Sequence, residues 1–361
     1  MIKYLMDGEV TVHLGDCLAS LKTMESESVN TCVTSPPYYG LRDYGTGTWI
    51  GGDPNCPHRR MSKKSNATIT GHKNFDAMLG VGDAIYKTTC PLCGAVRVDD
   101  QVGLEETPEQ YIENLVHVFR EVRRVLKDDG TLWLNLGDSY AGSRKGQAQD
   151  GMNDLLNKKT KGLKLDIQDL VEIGYKQKDL MGIPWRVAFA LQADGWYLRQ
   201  DIIWHKPNPM PEPVQDRCTK AHEYIFLLSK SQYYYFDAAA IKEESVVDAS
   251  ENRNKRSVWS VPTRAYPGSH FAVFPPDLIE PCILAGCPPG GATLDPFGGS
   301  GTTAGVAVRT GRKAILCELN SDYVDIMENR ITEIVFDVRI EEPIEGQLDL
   351  FADKSSQGVI T

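Results

Sequence analysis

Ala292-Thr293-Leu294-Asp295-Pro296-Phe297-Gly298-Gly299-Ser300-Gly301-Thr302-Thr303 is the stretch whose reading decides the fold. Residues 292–294 read as a strand, the glycines as a tight turn, and 302–309 as a helix. Such a strand–loop–helix unit sets bare backbone and a helix N-terminus against a ligand. Gly298, Gly299 and Gly301 permit close approach where a Cβ would collide. No lysine follows in the pattern of a triphosphate loop, which disfavours a nucleoside triphosphate. Residues 313–317 read as the next strand, and Glu318 at its end is suited to accept hydrogen bonds from ribose hydroxyls.

Outward from this unit, β-rich runs at 10–14, 29–33, 131–136, 201–204 and 224–228 alternate with helical patterns at 108–125, 183–193, 276–285 and 321–334. That alternation predicts an α/β fold with a mostly parallel sheet. In the helix at 108–125, Tyr111, Leu115, Val118, Phe119, Val122 and Val125 recur at the spacing of one apolar face. Lys127-Asp128-Asp129-Gly130 then reads as a turn. His13-Leu14-Gly15-Asp16-Cys17 closes the first strand. There Asp16 either accepts a hydrogen bond from an adenine amino group or caps a helix over 17–24. Gly- and charge-rich segments at 45–106 and 141–178 read as insertions.

The chain has 361 residues, 41% hydrophobic and 24% charged, ordinary for a globular protein with room for a large core. No apolar run reaches the roughly 18–20 residues of a membrane helix, and the first residues do not read as a signal peptide. A cytoplasmic protein is the expectation. The net charge of −10 argues against nucleic acid, yet basic residues cluster in insertions. Arg59, Arg60, Lys63, Lys64 and Lys73 share one stretch without acids, and Arg253, Lys255, Arg256 and Arg264 another. Arg144 and Lys145 open a third, and these groups, with Lys206 and Arg217, are candidates for contacts with a DNA backbone. Solvated loops are the plain alternative. Of nine cysteines, Cys17, Cys32, Cys218, Cys282, Cys287 and Cys317 read as buried small apolar residues. Cys56-Pro57-His58 and Cys90-Pro91-Leu92-Cys93-Gly94 instead offer four ligands for a structural zinc ion, with free thiols as the alternative.

About 260 residues before the glycine loop stands Val33-Thr34-Ser35-Pro36-Pro37-Tyr38. The two motifs in this order resemble the β group of S-adenosylmethionine-dependent DNA amino-methyltransferases. The resemblance covers most of residues 8–44 and 105–335. It implies a Rossmann-like methyltransferase sheet, mostly parallel with one antiparallel strand, circularly permuted so that the catalytic half precedes the cofactor half, and carrying insertions. By it Asp295, Phe297, Gly299, Gly301 and Thr302 line the methionine part of S-adenosylmethionine, Glu318 the ribose, and Asp16 the adenine. His270-Phe271-Ala272-Val273-Phe274-Pro275 occupies a further cofactor motif with a loose match. The implied domains are a catalytic domain at 1–44 and 107–335, a zinc-knuckle insertion at 45–106, a basic insertion at 141–178 and a target-recognition segment at 237–264. A flexible tail follows at 336–361.

In this family the Ser-Pro-Pro-Tyr loop is catalytic. An exocyclic amine is a poor nucleophile because its lone pair is delocalised into the ring. Acceptors at Ser35 and the Pro36 carbonyl would hold both N–H bonds, and the stiff Pro36-Pro37 pair would aim them. The attacked base must leave the duplex, and Tyr38 is placed to stack on it. Tyr39 is a candidate support for that platform. A serine at position 35 matches the cytosine-N4 form of the motif, whereas adenine-N6 enzymes usually carry Asp or Asn there. Cytosine N4 is therefore the expected target and adenine N6 the alternative. A non-catalytic DNA-binding regulator on the same fold is the reading from another class. Pro281-Cys282, the dipeptide a carbon-methylating enzyme would need, lies in an expected buried helix and is set aside. Double-stranded DNA is the implied partner, with a homodimer as one assembly left open. Gln347-Leu348-Asp349-Leu350-Phe351 resembles a peptide that docks on the bacterial sliding clamp; packing back on the catalytic domain is the alternative.

Overall fold

Every residue of Val29–Thr34 is buried, as a strand covered on both faces requires. In the computed structural model this strand lies at the centre of a nine-stranded sheet. The structure describes residues 1–40, 44, 46–60, 84–85, 89–141, 174–245, 252–264 and 274–337. Lys63, Lys64, Arg144, Lys145, most of the 141–178 insertion, residues 270–273 and the clamp-like tail lie outside the described residues. Arg59 and Arg60 are described in backbone only.

In chain order the sheet strands are β1 (Ile2–Leu5), β2 (Val10–Leu14), β3 (Val29–Thr34), β4 (Leu126–Leu136), β5 (Tyr197–His205), β6 (His222–Ser229), β7 (Val258–Ser260), β8 (Ala292–Asp295) and β9 (Lys313–Glu318). They lie side by side as β1-β2-β9-β8-β3-β4-β6-β5-β7. β2, β9, β8, β3 and β4 run parallel. β6 runs against both β4 and β5, and β1 runs against β2. The sheet thus has two reversed strands where the sequence reading expects one. The additional one, β1, is a four-residue edge strand in which only Leu5 is buried, too short a run to mark a strand in the sequence.

Among the described residues six α-helices cover the two faces. On one side lie α1 (Cys17–Thr23), α2 (Pro108–Val125) and α3 (Ile183–Ala193), packed through Leu21, Tyr111, Phe119, Val187 and Leu191. On the other lie α4 (Pro276–Gly286), α5 (Thr302–Arg309) and α6 (Ser321–Phe336), packed through Ile279, Ile283, Val306, Met327 and Ile331. Helix α2 starts at the predicted residue because Thr107 and Gln110 form a capping box and Pro108 fills its first turn. No turn follows it. Lys127–Gly130, residues 127–130, form a bulge inside β4, whose register against β3 jumps from Val29↔Leu126 to Thr31↔Thr131. Cys218 is exposed in the loop between β5 and β6, unlike the buried position expected, because it stands in a segment that none of the described strands or helices includes. Among the described residues no helix is long and apolar enough to cross a membrane.

Candidate active site

Ligand sites of open α/β sheets form outside the carboxyl ends of the parallel strands. Here β2 delivers Asp16 to that edge, β3 Ser35, β4 Gly137 and Asp138, β8 Asp295 and β9 Glu318. The reversed strand β6 brings its opposite end there. Its register pairs Tyr224 with Leu136 and His222 with His205, which sets Glu223 beside the end of β4 and the Lys206 turn.

Asp295 joins the two motifs of the sequence. Its Oδ1 accepts from the Thr34 hydroxyl at 2.6 Å and the Phe297 amide at 3.0 Å, and its Oδ2 accepts from Thr303 at 2.6 Å. Burial pushes its carboxyl above the ordinary range, and these three donors pull it back. With both oxygens engaged internally, Asp295 fixes the glycine loop to the strand that leads into Ser35. Thr34 and Thr303 escaped the sequence reading as site residues; their only signal is a hydroxyl placed at a buried strand end or first helical turn.

Glu318 holds the next turn. Its oxygens accept the amides of Gly299 and Asn320, each at 2.8 Å, and its own carbonyl accepts the Gly15 amide at 2.8 Å. Burial pushes this carboxyl up to about 7. Asp16 caps α1, accepting from the Ala19 amide at 2.7 Å, so the capping alternative is realised at one of its oxygens. Gly301 has φ +82°, and a Cβ there would sit 2.7 Å from Met327. Packing against α6 therefore requires this glycine in addition to any ligand. Phe297 is half-buried, and Thr302 is buried at the start of α5.

The catalytic-loop candidates occupy the middle of this edge. Pro36 is buried, while Ser35, Pro37 and Tyr38 are partly exposed. The Pro37 carbonyl turns inward to accept the Tyr111 hydroxyl at 2.9 Å. Tyr39 is buried, tilted on Tyr111, and donates to the Glu106 carbonyl. Tyr38 lies so close to Gly137 that a Cβ there would sit 2.5 Å from its ring. Its hydroxyl donates to Glu223 at 2.8 Å, with Asn135 Oδ1 at 3.2 Å and the Ser35 hydroxyl at 3.5 Å. Burial beside Glu223 keeps this phenol protonated, its pKa far above the ordinary value.

The chain matches the DNA methylase family of the N6/N4 type over residues 29–329. It belongs to that family. It is 42% identical over 322 residues to the type II methyltransferase M.Cfr9I of Citrobacter freundii, covering 89% of this chain and 87% of that one. It is 43% identical over 319 residues to the type II methyltransferase M.SmaI of Serratia marcescens, covering 88% and 89%. Its fold is shared by the PvuII DNA methyltransferase (cytosine-N4-specific), with a TM-score of 0.54 at 19% identity and 91% of each chain covered.

Several cations of this methylase differ from expectation. Lys206 does not reach outward. It pairs with Glu223 and lies over the Trp204 ring at 4.2 Å, because Glu223, the register partner of Trp204, offers a half-buried carboxylate beside it. Arg217 pairs with Glu212 and stacks over Tyr140 at 3.9 Å. Arg253 and Arg256 share Glu243, an acid just outside the stretch that looked free of acids; Arg256 stays largely exposed. Lys255 lies 5.2 Å over the Trp259 ring. Cys282 is buried in α4, and burial pushes its thiol far up, so it offers no thiolate for carbon methylation.

Cys56, His58, Cys90 and Cys93 come together, with their ligand atoms all within 4.8 Å of one another. Cys56 Sγ and Cys90 Sγ are 3.7 Å apart, and Cys93 Sγ lies 3.6 Å from His58 Nδ1. Thiolates held ~2.3 Å from a tetrahedral ion sit about 3.8 Å apart, so the donor set fits zinc. Gly94, at φ +75°, turns the Cys90–Cys93 knuckle, and its amide donates to the Cys90 carbonyl at 2.8 Å. Trp49 stacks on His58 at 4.4 Å and fixes the imidazole.

Proposed function

We propose that this DNA methylase is a type II modification enzyme that transfers the methyl group of S-adenosylmethionine to the exocyclic N4 of cytosine in a base flipped from duplex DNA. The observation that carries this reading is the Thr34–Asp295–Thr303 latch, which fixes Ser35 against the glycine loop. Methyl transfer between two bound groups depends chiefly on such alignment.

S-adenosylmethionine, when bound, supplies a methyl group on a positively charged sulfur. Glu318 would accept the ribose hydroxyls on lone pairs its two amide donors leave over, with Asp16 near the adenine and Asp295, Phe297, Gly299, Gly301 and Thr302 around the methionine. Ser35 Oγ and the Pro36 carbonyl would accept the two N–H bonds of the target amine and turn its lone pair toward the methyl group. Tyr38 would form the wall against which the base stacks. Zinc held by Cys56, His58, Cys90 and Cys93 would close the first insertion and present Arg59 and Arg60 to the DNA backbone, joined by Lys255 and Arg256 from the 237–264 segment. Lys206 belongs to the Tyr38–Glu223 cluster in this reading.

Serine at position 35 supports cytosine over adenine, since the resemblance associates Asp or Asn there with N6 enzymes. Nucleoside mass spectrometry of DNA incubated with the enzyme tests this directly. N4-methylcytosine is expected. N6-methyladenine alone would replace the target base, and no methylated nucleoside at all would overturn the proposal.

A further inference from the structure

Two hydroxyls beneath the catalytic loop donate in the same direction. Ser35 Oγ donates to Tyr38 Oη at 3.5 Å, and Tyr38 Oη donates to Glu223 Oε2 at 2.8 Å. Glu223 Oε1 is held by the Lys206 ammonium, itself seated on Trp204. Asn135 donates to the Tyr224 carbonyl at 3.0 Å, which turns its oxygen toward Tyr38. The Ser35 and Tyr38 hydroxyls therefore both point toward Glu223, and the lone pairs of Ser35 are left for the site. A two-link chain of hydroxyls ending on a carboxylate is more than a wall for a base requires, because packing alone would hold the ring.

We propose that Glu223 is a positioning residue that acts through Tyr38 to orient Ser35 and to receive the proton that the target amine sheds. The inference rests on the methyl-transfer reading above. As the amine nitrogen forms its bond to the methyl carbon, the carbon–sulfur bond breaks and its electron pair stays on sulfur. The nitrogen then carries a positive charge and one proton too many. That proton passes to Ser35 Oγ while the Ser35 proton passes to Tyr38 Oη and the Tyr38 proton to Glu223 Oε2. The balance is one proton from the base to Glu223, and both hydroxyls are restored. A protonated, ring-conjugated amine is so strong an acid that even a lysine-paired carboxylate is basic toward it. The charged and titratable groups around Glu223 are Tyr38, Lys206, Lys220 and His222. Burial lowers the pKa of Lys220 and of His222, and Asp138 and Glu212 are the further acids that act on Lys220.

Glu223→Gln keeps the shape and an acceptor for Tyr38 but removes the base. At saturating cofactor and DNA, its single-turnover rate should fall roughly a hundredfold, the usual scale for a lost general base. Affinities for cofactor and DNA should stay within about threefold, which also certifies the fold. The acid limb of the wild-type pH–rate profile should vanish in Glu223→Gln and return in Glu223→Asp. Tyr38→Phe cuts the chain one link earlier, so adding Glu223→Gln to it should cost little more, since residues acting as a unit are not additive. A Glu223→Gln rate close to wild type, or an unchanged acid limb, overturns the inference. So do losses from Tyr38→Phe and Glu223→Gln that multiply independently. If wild-type enzyme methylates no DNA, the earlier reading has failed instead.

Discussion

Glu318 shows how one residue's environment sets a condition on the whole reaction. A carboxylate surrounded by two backbone amides would ordinarily be stabilised in its charged form, but burial outweighs them and carries its pKa up to about 7. Ribose hydroxyls need the charged form as acceptor. Cofactor affinity should therefore rise with pH, by about tenfold between pH 6 and pH 8, as titration calorimetry can measure. The stability sign is the reverse. A raised folded-state value means the neutral form favours folding, so this contribution is present at low pH and lost as pH rises through about 7. A cofactor affinity that is flat over this range would remove Glu318 from the ribose site. Asp295 makes a second residue-scale argument. Thr34→Val deletes one of its donors and leaves a buried carboxylate short of a partner, which should cost about 1–3 kcal/mol in urea unfolding. The same change should slow methyl transfer more than it weakens DNA binding, because the loop loses its anchor.

At the scale of elements, the glycine loop is held by packing as well as by ligand chemistry. Gly301 stands at the N-terminus of α5 in a left-handed conformation, and α6 passes directly over it. Gly301→Ala adds strain at φ +82° and drives a methyl group into Met327 and Ile331. Destabilisation of about 2–4 kcal/mol is expected from the two effects together, with the unfolding midpoint in urea as the measurement. A loss under about 0.5 kcal/mol would mean that α6 yields freely and that the close approach is not structural. β4 makes a related point. Residues 127–130 have the composition of a turn, yet Lys230 and Tyr235 donate to the carbonyls of Gly130 and Asp129, and the segment is retained as a bulge in the strand. Pairing across the sheet outweighs the local turn preference.

For the whole molecule, the sheet edge and the Cys/His cluster are separate constructions. The cofactor candidates are tied together by bonds among β2, β3, β8 and β9, whereas the knuckle is tied through Cys56, Cys90 and the pairing of residues 48–50 with 96–98. Metal analysis should return one zinc per chain. Its removal by a chelator should weaken DNA binding at least tenfold while cofactor affinity stays within about twofold, because a structural zinc orders only what it closes. Zinc well below one per chain, or cofactor affinity lost together with DNA affinity, would contradict this arrangement.

The sequence by itself determined the α/β class, the glycine loop, the boundaries of α2, α3 and α5, and the candidate constellation Ser35–Tyr38, Asp295 and Glu318. These are local matters: period, caps, prolines and glycines act over a few residues, so one stretch of chain suffices to read them. What only the tertiary structure decided concerns partners far apart in sequence. Thr34 meets Asp295 across 261 residues, Tyr38 meets Glu223 across 185, and Lys206 turns inward because β5 and β6 pair in one register. A second reversed strand joined the sheet at β1, and Cys218 stayed outside the core. A hydroxyl, a carboxylate or an ammonium has the same local signature whether it faces water or a buried partner. Only the packing of the sheet decides which group it meets, and therefore whether it binds DNA, holds a loop or moves a proton.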